Sequence, residues 1–157
     1  MRPLTILALL LGAAGVALGV VNLVGDDDES DSRTLTLTVR EGNFYFYDVP
    51  PRAKNEGDIA AGDSFTFSND VSGDATGQLY GGCFVADKGK GTCQGTYVLQ
   101  NGRVTFAGVP GFSQEPETFE VAVTGGSGAY EGATGKVAVK ENGHATHVMS
   151  LQLPKDD

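Results

Sequence analysis

The sequence predicts an all-β domain of eight short antiparallel strands, on three observations. Apolar and polar residues alternate with period two through most of residues 34 to 153. Glycine clusters and turn dipeptides interrupt that alternation at short intervals. No stretch carries the apolar spacing of a long helix, and no repeat with a period of about 20 to 50 residues is present.

The first strand is "TLTLTVRE", with Leu35, Leu37 and Val39 on one face and Thr36, Thr38 and Arg40 on the other. "SFTFSND" repeats the pattern with Phe65 and Phe67. A third row runs Leu79, Gly81, Cys83, Val85. "DKGKG" then reads as a turn, and "GTYVLQNGRVTFAGV" as two strands around Asn101-Gly102. "TFEVAVTGG" sets Phe119, Val121 and Val123 against Glu120 and Ala122, and "GKVAV" and "HATHVMSLQL" complete the set. Such strands close into a barrel or stack as a sandwich, and alternation alone does not choose. The chain lacks the Cys…Trp…Cys pattern of an immunoglobulin domain, since it has no Trp.

Residues 34–155 form the one domain that 157 residues allow. Ahead of it, "MRPLTILALLLGAAGVALGVVNLVG" has a basic start, an apolar stretch and small residues. Residues 1–24 therefore read as an export signal or an uncleaved N-terminal membrane anchor. Both put the domain outside the cytoplasm, secreted or tethered, and the membrane is then met only through the N-terminus. Residues 25–33, with "DDDESD", read as a solvated acidic linker. The net charge of −9 and the lack of a basic stripe exclude nucleic acid as a partner.

An exported chain with two cysteines favours a disulfide. Nine residues separate Cys83 from Cys93. A fold-back centred on Lys88 sets the two directly opposite, where facing Cα atoms lie about 4.5 Å apart, within bridging reach.

Taking the apolar face of each strand as inward, the first row continues Leu37, Val39, Glu41, Asn43 and the second runs Phe65, Phe67, Asn69. An apolar wall of Leu37, Val39, Phe65, Phe67 and Cys83 ending in a few convergent polar groups describes a small-molecule pocket. Glu41 is then the candidate general acid, base or cation stabiliser, and Asn43 and Asn69 the candidates to hold a substrate oxygen or a water. The same three residues also suit a solvated strand end. His144 and His147 fall on opposite faces of one strand and find no further ligands, so no metal site is predicted. "GGSGAYEG" follows a strand without opening a helix, so it is no phosphate or dinucleotide loop, and no cofactor is implied. Four consecutive aromatics, Phe44 to Tyr47, must send two rings outward, a surface suited to a second copy of the chain.

The glycine-rich "VAVTGGSGAYEGATGKVAV" resembles the signature of the allene oxide cyclase family, related to dirigent proteins. "LTVREGN", "GDSFTFSNDV" and "GTYVLQNGRVTFAG" extend the resemblance over about residues 35 to 140. It implies an eight-stranded antiparallel, calycin-type β-barrel with an apolar cavity, in which the glycines serve tight turns at the rim and an aromatic residue packs back. It also implies site residues: Glu41 and Asn43 resemble the family's first-strand Glu-x-Asn, Asn69 its second-strand Asn and Cys83 its third-strand Cys. The implied activity is isomerisation or cyclisation of an apolar unsaturated molecule, by positioning more than by protein chemistry. Three readings follow: an extracytoplasmic isomerase, cyclase or dirigent-like guide; a non-catalytic lipocalin-like binder; and a secreted structural or interaction barrel filled with side chains.

Overall fold

The computed structural model describes residues 30–49, 59–87, 89–112, 118–142 and 144–154. The apolar N-terminal segment, the acidic run as far as residue 29 and Lys88 lie outside the described residues. Eight strands form one closed antiparallel barrel: β1 (Ser30–Tyr47), β2 (Ser64–Gly73), β3 (Gly77–Asp87), β4 (Lys90–Leu99), β5 (Gly102–Gly108), β6 (Thr118–Gly128), β7 (Thr134–Asn142) and β8 (His144–Pro154). Each strand pairs with its sequence neighbours, and β1 closes the ring by pairing with both β2 and β8. Closure leaves no sheet edge unpaired, which settles the choice between barrel and sandwich.

Two boundaries differ from the sequence reading. β1 starts at Ser30, opposite Pro154, so residues 30–33 belong to the barrel and not to the linker. The β4–β5 hairpin turns at Gln100 and Asn101, because Leu99 faces Gly102; the expected Asn101-Gly102 turn sits one residue too late.

The barrel has two unlike ends. At one end the inward residues form a closed core: Leu35, Leu37, Leu99, Val104, Met149 and Leu151 are all buried. The loop between β6 and β7 seals it. Gly128 and Gly132 take φ of 65° and 69°, left-handed values that residues with a Cβ adopt only at a cost. Between these two points the chain reverses and drives Tyr130 into the barrel, where its ring is 1% exposed. The Arg33 guanidinium lies 5.5 Å from the centre of that ring. The glycine loop is thus a turn carrying an aromatic plug.

At the other end the barrel is not filled. The β1–β2 and β5–β6 connections supply Ile59, Pro110 and Phe112 to the mouth. Asp63, fully buried, accepts hydrogen bonds from the backbone N–H of Val49 (3.1 Å) and of Ala60 (2.7 Å) and so ties the end of β1 to the chain entering β2. Tyr45 and Tyr47 lie exposed on the outer surface, as alternation beyond Phe44 requires.

Candidate functional site

The unfilled end holds a cavity of about 770 Å³, bounded on its walls by Phe44, Phe46, Phe65, Phe67, Phe106 and Phe119. That volume suits a drug-sized molecule. Two inward glycines, Gly81 and Gly95, face each other across β3 and β4. A Cβ on Gly81 would stand 2.6 Å from the Phe67 ring, and one on Gly95 2.5 Å from the Phe106 ring. The bare backbone there lets both rings lie back against the wall instead of filling the lumen.

A β-bulge on β1 shapes the mouth. Arg40 pairs with Asp70 but Asn43 with Ser68, so Glu41 and Gly42 together oppose Asn69 alone. Gly42 is needed because a Cβ there would come 2.2 Å from the Ser68 carbonyl oxygen. Its backbone N–H donates instead to the Asn69 side-chain oxygen at 3.1 Å. The extra residue changes which side chains point inward. Before it the inward residues are Leu35, Leu37 and Val39; after it they are Phe44 and Phe46.

This corrects part of the predicted site. Glu41 and Asn69 both line the cavity, next to each other across β1 and β2. Glu41 is solvent-exposed at the rim, not enclosed by apolar side chains. Asn43 does not line the cavity: the bulge turns it away, and its amide nitrogen donates to the Ser68 hydroxyl at 3.3 Å. Val39, Phe65, Phe67 and Cys83 line the wall. Leu37 lies deeper, fully buried in the closed core, and does not touch the cavity. Cys83 and Cys93 face each other with Cα atoms 4.1 Å apart and are joined by a disulfide, so Cys83 presents no thiol.

The most enclosed polar groups of the cavity are Tyr97, which the sequence reading did not single out, and His147, which it weighed only as a metal ligand. Tyr97 on β4 and His147 on β8 sit at its floor, 1% and 7% exposed. Their next inward neighbours, Leu99 and Met149, are closed core and no longer touch the cavity. The Tyr97 hydroxyl and His147 Nδ1 are 2.5 Å apart, with the two rings edge to face at 5.9 Å. Burial pushes the Tyr97 hydroxyl well above its ordinary pKa and pulls the His147 imidazole down to about 4. Both groups are therefore neutral across the physiological range. The signal was present in the alternation: His147, Met149 and Leu151 share one face of β8, and Tyr97 and Leu99 one face of β4.

Fold and site together define a closed, single-domain antiparallel barrel with one end packed and one end hollow. No family model and no curated protein sequence matches the chain. Solved structures do match it. A pyocyanin demethylase superposes with a TM-score of 0.64 at 23% identity, over 76% of this chain and 99% of its own. The exo-specific intermolecular Diels-Alderase AbnU superposes with a TM-score of 0.61 at 13% identity, over 79% of this chain and 98% of its own. At these identities the likeness is one of fold: the whole of each of those chains is a barrel of this kind.

Proposed function

We propose that this barrel binds an apolar, unsaturated small molecule in its hollow end and isomerises or cyclises it, as the resemblance to allene oxide cyclases and dirigent proteins implies. The observation that carries the reading is the cavity itself: about 770 Å³, walled by phenylalanines, with a neutral Tyr97–His147 pair at the floor and Glu41 at the mouth. Such a site holds a flexible apolar chain in one shape and keeps water from the reacting bonds. Glu41 then steadies positive charge that develops near the mouth. The two structural neighbours, by their titles a demethylase and a Diels-Alderase, are enzymes that act on small molecules, which is in keeping with the reading. An extracytoplasmic location goes with it, since the Cys83–Cys93 bridge suits an oxidising compartment.

The test is incubation with a panel of neutral polyenes and polyene epoxides, read by chromatography with mass detection. A product of unchanged mass is expected from at least one member, formed more slowly by Glu41→Gln and not at all by Ala145→Trp, which fills the cavity. Turnover indifferent to both substitutions would remove the site from the reaction.

A second reading, a non-catalytic lipocalin-like binder, draws on a separate observation. Asn43 is off the wall and the Asn69 oxygen is already engaged by the Gly42 N–H, so the polar set at the mouth is smaller than the family resemblance implies. Panel members bound and recovered unchanged would select it.

A further inference from the structure

The floor of the cavity has a definite hydrogen-bonding polarity. Tyr97 keeps its proton, because burial disfavours the phenolate. Among the described residues, the only hydrogen-bond partner of that hydroxyl is His147 Nδ1. The O–H therefore donates to Nδ1, which must be the unprotonated nitrogen. A neutral imidazole carries its one proton on the other nitrogen, so His147 presents an Nε2–H. No described residue accepts from it. It is also not sealed away, since no fully buried polar side-chain atom lacks a partner among the described residues, and His147 lines the cavity. A donor at the end of an apolar chamber calls for an acceptor on whatever fills the chamber, because an unmet polar group there is costly.

Charge narrows the class. Among the described residues that line the cavity there is no Lys or Arg, and the only carboxylate is Glu41 at the mouth. The whole chain carries a net charge of −9. An anionic ligand would find no counter-charge in the chamber and an opposing one at its entrance.

Building on the proposed function, we infer that the ligand is a neutral, largely apolar molecule with a carbonyl oxygen at its leading end, which accepts the hydrogen bond from His147 Nε2 while Tyr97 fixes the imidazole tautomer. His147 is then the ligand-contacting residue and Tyr97 a positioning residue. A free fatty acid or other carboxylate is excluded as the preferred ligand.

Three probes on one ring system test this: fluorene, 9-fluorenone and fluorene-9-carboxylate, titrated by calorimetry or by the protein's tyrosine fluorescence. The ketone should bind about three- to tenfold tighter than the hydrocarbon, the worth of one neutral hydrogen bond, and the carboxylate should bind weakest. The ketone's advantage should vanish in His147→Phe and persist in His147→Gln, whose amide can donate to the ligand and accept from Tyr97. Two readouts on the unaltered protein need no variant to fold. The carbonyl stretch of bound fluorenone should move to lower frequency, and nitrogen NMR should show His147 as the Nε2–H tautomer; a third readout, the same NMR on Tyr97→Phe, should show the two tautomers mixed. Equal binding of ketone and hydrocarbon, or an Nδ1–H tautomer, overturns this inference and leaves the cavity reading standing. Binding of none of the three overturns the cavity reading and this inference with it.

Discussion

The two ends of the barrel are made of the same strands and do opposite things. At the closed end, Leu35, Leu37, Leu99, Met149 and Leu151 meet across the lumen and Tyr130 stops the opening. At the open end, the same strands carry phenylalanines held against the wall by glycine, and the lumen stays empty enough for a ligand. Packing and the proposed ligand site are therefore separable along the barrel axis. The closed end buries apolar surface completely, and each Å² removed from water contributes about 25 cal/mol. The open end leaves Phe44 and Phe46 largely exposed, a state that a ligand would relieve.

The largest effect should come from the plug. Tyr130→Ala removes a fully buried aromatic and should lower unfolding free energy by about 3–5 kcal/mol, read by urea denaturation. Phe67→Ala, at the half-buried open end, should cost less than half as much and weaken fluorenone binding, which Tyr130→Ala should leave unchanged if the variant is folded. A reversed pattern would erase the division between the ends.

The pH dependence comes next. His147 titrates at 6.5 when unfolded and near 4 in the barrel. Between those values the unfolded chain holds more protons, so stability rises with pH in that window. As pH falls below about 6.5 the barrel should lose stability on the order of 3 kcal/mol, complete below about pH 4. The titratable groups that share the cavity with His147 are Tyr97, neutral throughout, and Glu41 at the mouth. Subtracting the same curve for His147→Gln isolates the histidine; no difference between the two curves between pH 4 and 6.5 would contradict its burial as a neutral base.

The disulfide should follow. Replacing Cys83 and Cys93 together by Ala opens a loop of sequence separation 10 and should cost about 2.5 kcal/mol by loop-closure entropy. Thiol labelling of the native protein should find no free cysteine. The smallest effect is expected at Gly81. Gly81→Ala places a Cβ 2.6 Å from the Phe67 ring and 2.9 Å from the Gln94 carbonyl oxygen, which should push the ring toward the lumen, cost about 1–2 kcal/mol and weaken fluorenone binding a few-fold.

How much of this was legible in the sequence depends on distance along the chain. The eight strands, the inward rows of β2 and β3, the cysteine pairing and the turn at the glycine loop are local or near-local features, and alternation with turn chemistry exposes them. Alternation misplaces Asn43 because a bulge adds one residue to one strand, and its cause, the Ser68 carbonyl pressed against Gly42, comes from another strand. Gln100-Asn101 took the turn expected one residue later for the same kind of reason: the register of two strands decided it. Alternation places Leu37 on the cavity wall because it gives a side chain's face but not its depth. Tyr97 and His147 lie 50 residues apart and are joined only when the barrel closes. Each was visible as an inward polar residue, but their meeting belongs to the topology.

Whether the hollow end holds a small molecule is decided by a native mass spectrum of the barrel after exposure to a broad extract of neutral apolar compounds, recorded beside Ala145→Trp. Discrete bound masses are expected on the unaltered protein and none on the cavity-filled variant, with both equally folded. Adducts on neither, or the same adducts on both, would contradict a ligand site there.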